Sequence, residues 1–253
     1  MKTLVIIPTY NEAEGILAVI EAVLREAPAV DILVVDDDSP DGTAEIVVAH
    51  RELHRRLHLL SRRAKEGLGA AYRAGFSWAL ARPYDAIVQM DADLSHPPER
   101  VPALLAALES ADVAIGSRYV HGGVVSNWPL QRRAISRGGS IYVRLVLGLG
   151  VRDATAGFKA FRREALESIG AVDSESSGYC FQIENTWRAS RLGLRITEVP
   201  ITFTDRALGT SKMTGGIVGE AMLRVLTWRW RELAHPSPTT PGRRREGLHD
   251  VAV

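Results

Sequence analysis

Apolar residues in this chain collect into short runs, at 3–8 (TLVIIP), 32–36 (ILVVD), 57–61 (LHLLS), 86–91 (AIVQMD) and 111–116 (ADVAIG). Between them, over 12–27, 43–56, 68–82 and 98–110, apolar positions recur every three or four residues. Short, nearly continuous apolar runs are what parallel strands buried on both faces require, and the spacing between them is helical. Strand and helix alternating through residue 116 predict an α/β fold with a doubly wound, mostly parallel sheet and flanking helices. Asn11 with Glu14 has the spacing of a capping box at the first helix. Ser39 before Pro40 predicts the start of the second.

Beyond residue 116 the rhythm changes. Residues 129–147 read as a helix with arginines on one side and Ile135, Ile141, Tyr142 and Leu145 on the other. A loop over 150–160, helices at 162–169 and 180–192, a strand at 194–203 and a last helix at 215–233 follow. The segment from His235 carries prolines, Arg243, Arg244 and Arg245 and few apolar residues, a composition that predicts disorder over 234–253. No internal repeat interrupts the pattern.

Composition sharpens this only locally. A hydrophobic fraction of 46% and a charged fraction of 24% suit a globular domain, and 253 residues can sustain a core without staples. The net charge of +1 gives no reason to expect nucleic acid, but it conceals an acidic cluster (Asp36, Asp37, Asp38, Asp41) and an arginine-rich stretch at 118–152. With Cys180 as the sole cysteine there is no intrachain disulfide and no cysteine zinc site, which suits a reducing compartment. The first apolar run is too short for a signal-peptide core. No stretch of about eighteen apolar residues predicts a membrane-spanning helix.

Chemistry enters at the strand ends, since ligands of open α/β sheets bind beyond the carboxyl ends of the strands. There the chain places Tyr10-Asn11-Glu12, Asp36-Asp37-Asp38 and Asp91-Ala92-Asp93. Converging carboxylates repel one another unless a cation lies among them, and hard oxygen donors favour magnesium or manganese. Asp91 or Asp93 alone would equally serve as a cap for a helix beginning near Pro97. The segment Lys65 to Tyr72 (KEGLGAAY) lets the backbone approach an anion at a helix N-terminus, although it is neither a Walker loop nor a dinucleotide fingerprint and reads alternatively as a glycine-containing turn.

Three segments then carry a family resemblance: Val5 to Glu12 (VIIPTYNE), Val34 to Thr43 (VVDDDSPDGT) and Asp91 to Pro98 (DADLSHPP). They resemble the family 2 inverting glycosyltransferases of the GT-A fold, and most closely the polyprenyl (dolichyl) phosphate mannose synthases. The resemblance continues through Gly116 to Tyr119, Arg132 to Gly138, Asp153 to Lys159, Gly178 to Glu184 and Asp205 to Lys212, and it spans residues 3 to about 233. It implies one GT-A catalytic domain over 1–233, with a nucleotide half at about 1–116 and an acceptor half at about 117–233.

The resemblance also implies roles. Pro8, Tyr10, Glu12, Val35 and Asp37, with Lys65 and Gly67, are expected at the nucleotide sugar. Asp91, Ala92 and Asp93 are expected at its diphosphate, with Asp91 and Asp93 holding Mg2+ or Mn2+ and Ser95 as a weaker third ligand. Arg118, Arg132, Ser136, Arg206 and Lys212 are expected at the acceptor phosphate, with Asp91, Asp93, Arg118 and Lys212 the catalytic set. Guanidinium forks suit a phosphate monoester, whereas scattered arginines would otherwise read as solvated surface. Asp153 and Glu184 are carried over without a defined role, ion-pairing with nearby arginines being the structural alternative.

The implied reaction moves mannose from GDP-mannose to polyprenyl (dolichyl) monophosphate with inversion, giving the β-mannosyl phosphate and GDP. A UDP-sugar polyprenyl phosphate glucosyltransferase uses the same scaffold and stays open. A nucleotidyltransferase and a catalytically silent nucleotide-binding subunit fit the acceptor-side motifs less well. The acceptor implies a membrane surface, with the chain peripheral on the cytoplasmic face, alone or through a membrane-embedded partner subunit. The last helix offers Met222, Leu226, Trp230 and Leu233 on one face, and Trp228 and Trp230 beside arginines suit either a lipid interface or packing on the domain.

Overall fold

The computed structural model describes residues 1–51, 55–174, 176, 178–204 and 215–234. Four strands alternate with helices in the first half: β1 (Thr3–Thr9), α1 (Ile16–Glu26), β2 (Asp31–Asp36), α2 (Thr43–Arg51), β3 (Leu57–Ser61), α3 (Leu68–Leu80) and β4 (Ala86–Gln89). A 3-10 turn (Pro98–Arg100), α4 (Val101–Ala107) and β5 (Val113–Ser117) follow. The second half holds β6 (Val124–Ser126), α5 (Leu130–Leu147), β7 (Lys159–Arg162), α6 (Arg163–Ser168), α7 (Gly178–Arg191), β8 (Ile196–Pro200), β9 (Thr202–Thr204) and α8 (Gly215–Ala234).

Seven strands form one sheet in the order β3-β2-β1-β4-β7-β5-β8, and β6 pairs with β9 in a small parallel ribbon. All neighbours in the large sheet run parallel except β7, which is antiparallel to both β4 and β5. The alternation of side chains along each strand explains the layering. Leu4, Ile6, Leu33 and Val35 face a core closed by α3, α5, α6 and α7, while Val5, Ile7, Ile32 and Val34 face one closed by α1, α2 and α4. Close contact needs a glycine at Gly75, where an added Cβ would stand 2.7 Å from Ile6 Cγ2.

Several expectations change. The segment expected as a loop at 150–160 gives way at Lys159 to β7, a strand in the middle of the sheet. The expected 194–203 strand divides at Ile201 into β8 and β9, each in a different sheet. Helix α1 begins at Ile16 with Gly15 as its cap and no side-chain capping bond, so Asn11 and Glu14 form no capping box. Ser39 is not the cap of α2, which starts at Thr43; its hydroxyl is turned back onto Asp36. Among the described residues no helix is long and apolar enough to cross a membrane. The expected disordered segment at 234–253 lies outside the described residues except for Ala234, which ends α8.

Candidate active site

The loops leaving β1, β2 and β4 are tied together before any ligand is considered. At the end of β2, the Asp36 carboxylate accepts bonds from Thr9 Oγ1 (2.8 Å), Ser39 N (2.9 Å) and Ser39 Oγ (2.6 Å). Three successive backbone N–H groups of the loop after β1 are met in turn: Asn11 by Ser39 Oγ, Glu12 by Thr43 Oγ1 and Ala13 by Asp41 Oδ2. This lacing fixes the backbone that carries Tyr10 and Glu12. It also separates the three acidic residues after β2. Asp36 is a buried tie, Asp38 is exposed in a left-handed turn (φ 59°), and Asp37 alone of the three lines the cleft.

Asp37 meets a positive charge from the protein itself. Arg62 Nη1 lies 2.5 Å from Asp37 Oδ1, and Arg62 also pairs with Glu66. Burial nevertheless pushes the Asp37 carboxyl above its usual range, against the pull of Arg62 and of the Gly67 and Glu66 N–H groups. Lys65 Nζ sits 3.7 Å from the centre of the Tyr10 ring, a cation held on an aromatic face. Gly67, with φ at 93°, turns the chain into α3.

Asp91 and Asp93 leave the end of β4. The Tyr72 hydroxyl donates to Asp91 Oδ1 (3.2 Å), and burial beside Asp91 drives the Tyr72 pKa well up, so it remains a donor. His96 Nδ1 accepts from the Asp91 backbone N–H (3.0 Å), its Nε2 lies 3.8 Å from Asp91 Oδ2, and its ring stacks on Phe158. Asp93 Oδ1 accepts from Ser95 N (3.1 Å) and Ser95 Oγ (2.6 Å), which fixes the carboxylate and occupies the Ser95 proton. Neither Asp caps the turn at Pro98, whose preceding residue Pro97 makes no side-chain capping bond.

Opposite these carboxylates stand Arg118, Arg132 and Ser136. The Arg118 guanidinium grips Asp153 with two bonds of 2.7 Å and Thr155 Oγ1 at 2.9 Å, and Asp153 is wholly buried. Arg132 lies over the Trp128 ring at 4.1 Å, and Ser136 Oγ accepts the Tyr119 hydroxyl at 2.7 Å.

One cleft of about 390 Å³ joins the two groups. Of the residues expected at a ligand, Pro8, Tyr10, Glu12, Asp37, Lys65, Gly67, Asp91, Ala92, Asp93, Ser95, Arg118, Arg132 and Ser136 all line it. Val35 does not; its side chain is buried beneath Gly75. Asp153 reaches the cleft through Arg118, and Glu184 is a buried partner of Arg188 (2.5 Å) and of the Ser176 N–H. Arg206 and Lys212 lie outside the described residues. Sequence reasoning missed Arg62, Tyr72, His96 and Trp128. His96 stood inside the DADLSHPP segment and Tyr72 at the end of the glycine-containing segment from Lys65, but neither was given a part in the chemistry.

The cleft's apolar wall comes from α5 and α8, including Ile135, Tyr142, Val143 and Met222. The Tyr142 hydroxyl donates to the Met222 carbonyl at 3.1 Å, clasping the two helices.

A profile described as Glycosyl transferase family 2 matches residues 4–170. An undecaprenyl-phosphate mannosyltransferase of Micrococcus luteus is 50% identical over 237 residues, covering 92% of this chain and 98% of that one. A polyprenol monophosphomannose synthase of Mycolicibacterium smegmatis is 52% identical over 232 residues, 90% of this chain and 86% of that one. Among solved structures, a mannosyltransferase from Pyrobaculum calidifontis in complex with GDP-Man and Mn2+ superposes with a TM-score of 0.60. It is 18% identical and covers 95% of this chain and 66% of that one, a likeness of fold. Half-identity along nearly the whole length, on a sheet of GT-A type with acidic loops at its strand ends, shows that this chain belongs to glycosyl transferase family 2.

Proposed function

We propose that the chain transfers mannose from GDP-mannose to the phosphate of a membrane polyprenol, with inversion, releasing GDP. The observation that carries this reading is the single cleft in which the Asp91–Asp93 edge faces arginines set in an apolar wall. One side suits a nucleotide diphosphate, the other a phosphate on a hydrocarbon chain. The names of the two half-identical relatives support both the sugar and the acceptor class.

Asp91 and Asp93 would hold Mg2+ or Mn2+. Among the described residues no three His, Cys, Asp or Glu side chains are grouped to hold a metal. Two carboxylates are hard oxygen donors, the chemistry that suits such an ion beside a diphosphate. Bound there, the ion supplies Lewis-acid stabilisation of the departing GDP. Ser95 and Tyr72 orient the two carboxylates, and Asp37, Tyr10 and Lys65 hold the nucleoside end. A phosphate monoester has its second pKa near about 6, so the acceptor arrives as a dianion and no residue is needed as a base. Arg132, with Arg206 and Lys212, positions it for attack from the face opposite GDP.

The exposed apolar side chains of α5 and α8, among them Leu130, Leu145, Leu223 and Trp230, support a peripheral seat on a membrane surface, for which we propose the cytoplasmic face, with or without a membrane-embedded partner subunit. Purified chain, a panel of labelled nucleotide sugars, short polyprenyl phosphate and Mg2+ test the reading. Label from GDP-mannose should enter the lipid, chelator should stop it, and Asp93→Ala should lower turnover by about a hundredfold or more. Transfer from a UDP-sugar instead would replace it with the glucosyltransferase reading.

A further inference from the structure

A second recess, of about 440 Å³, lies at the opposite edge of the sheet, where strands begin rather than end. Its floor is aromatic. Trp78 of α3 stacks on Tyr84 (centroids 6.1 Å), and the His58 ring of β3 lies 5.1 Å from Trp78. Tyr84 is buried and its hydroxyl donates to Asp31 Oδ2 at 2.8 Å, which fixes the recess's one carboxylate at the start of β2.

Four cations surround that floor: Lys2 before β1, Arg51 at the end of α2, Arg55 before β3 and Arg82 after α3. Lys2 Nζ lies 4.8 Å from the Tyr84 ring centre, and the Arg82 guanidinium lies 3.6 Å from that of Trp78. Among the described residues none of the four makes an ion pair, whereas Arg25, Arg62, Arg118, Arg163, Arg188, Arg191, Arg195 and Arg229 all do. Four positive charges gathered about one hydrogen-bonded carboxylate repel one another. A multiply charged anion relieves that repulsion, and guanidinium forks on a rigid aromatic floor match closely spaced phosphoryl oxygens.

We propose that this recess is a second binding site, remote from the sugar-transfer cleft, for a compact anion bearing two or more phosphoryl groups. The shared chemistry is the clustered phosphate, free in solution or on a lipid headgroup. His58 supplies a local reporter. Burial holds its imidazole below the ordinary pKa, with Arg51, Arg82 and Lys2 adding to this and Asp31 opposing, so an anion seated among these groups would raise it.

Inorganic tripolyphosphate titrated calorimetrically into metal-free full-length chain at low salt tests the site. Parallel samples carry Arg51→Gln with Arg55→Gln, and separately Asp91→Asn with Asp93→Asn. A second arm measures sedimentation with phosphatidylglycerol vesicles against phosphatidylcholine vesicles. Saturable binding should weaken by about tenfold or more in the arginine variant, stay unchanged in the aspartate variant, and fall as salt is raised. The His58 ring resonances should shift in the same titration. An arginine-dependent gain on phosphatidylglycerol, without tripolyphosphate binding, would support the site and name the headgroup as the source. Binding that ignores the arginine variant, or no arginine-dependent response in either arm, overturns the proposal. Sugar transfer by the arginine variant should stay at wild-type level, which separates this site from the cleft.

Discussion

Arg118 enters the cleft with its charge already met by Asp153, 35 positions along the chain, through two bonds of 2.7 Å. Asp153 also takes the Arg118 backbone N–H, and its own N–H donates to Glu198 Oε1, so the pair joins β5, β8 and the segment before β7. Removing one member of a buried ion pair leaves the other uncompensated, at a cost of about 3–5 kcal/mol. Asp153→Asn and Arg118→Ala are each expected to lower unfolding free energy by about 3 kcal/mol, read from urea titration. Replacing both with Arg118→Met and Asp153→Leu should cost less than the two single losses combined. Equal and additive losses would mean that the two side chains act separately. The sequence reading placed Arg118 at the acceptor phosphate and left Asp153 without a role. Ion-pairing with an arginine was the alternative it offered for Asp153, and the structure shows that pairing, but a contact across 35 positions leaves no local trace of which arginine answers; Arg118 thus has a structural part beside the acceptor role proposed for it. The same limit hid Arg62, which meets Asp37 across 25 positions.

At the level of elements, the first half was legible because β1, β2 and β4 are buried strands that read as nearly continuous apolar runs, and the half-buried edge strand β3 still carries Leu57, Leu59 and Leu60. Strand β7 was not, although it sits in the middle of the sheet. It has four residues, one of them a buried lysine, and antiparallel insertion is a property of the whole sheet. Lys159 Nζ donates to the Gln182 carbonyl (2.6 Å) and Thr186 Oγ1 (2.9 Å), pinning β7 to α7. Burial lowers its pKa to about 7, partly opposed by Asp153. The unfolded chain, with its lysine near 10.5, then binds more protons between these values, so stability should rise from pH 7 toward 10.5. Thermal midpoints across that window should rise for the wild type more than for Lys159→Met; parallel profiles would deny Lys159 the effect. Helix α8 divides its two expected interfacial tryptophans. Trp228 stacks on Trp187 at 5.5 Å with planes 8° apart, a packing contact, while Trp230 is 69% exposed. Trp228→Ser should cost about 2 kcal/mol of stability. Trp230→Ser should leave stability nearly unchanged but reduce sedimentation with vesicles; equal vesicle binding in wild type and Trp230→Ser would remove α8 from the membrane surface.

For the molecule as a whole, the fold's main consequence is a divided cleft. Its carboxylate side is built from loops after β1, β2 and β4, and its arginine side from the end of β5, the β6 ribbon and α5. Sequence motifs pointed to residues on both sides because the carboxylates lie in loops and Arg132 and Ser136 on a helix face, where residue types answer to chemistry rather than to packing. Beside the metal expected at Asp91 and Asp93, they did not reveal Arg62, whose guanidinium meets the charge of Asp37. A divided cleft predicts divided effects. Arg132, stacked on Trp128 and set away from the Asp37 side, should matter to the acceptor alone. Losing a charge-assisted contact to phosphate costs about 1.5–3 kcal/mol, so Arg132→Ala should lower the acceptor's specificity constant by about ten- to a hundredfold. GDP affinity should stay within about twofold, since no nucleotide contact is removed. Asp37→Ala should do the reverse, weakening GDP while sparing the acceptor's KM. The Arg62→Gln variant should share that pattern, because its guanidinium holds Asp37 in place. Calorimetric titration with GDP and Mg2+, beside steady-state kinetics against varied polyprenyl phosphate, measures both sides on the same preparations. If Arg132→Ala weakens GDP as strongly as it slows acceptor use, the guanidinium belongs to the diphosphate and the acceptor phosphate must be held elsewhere along α5.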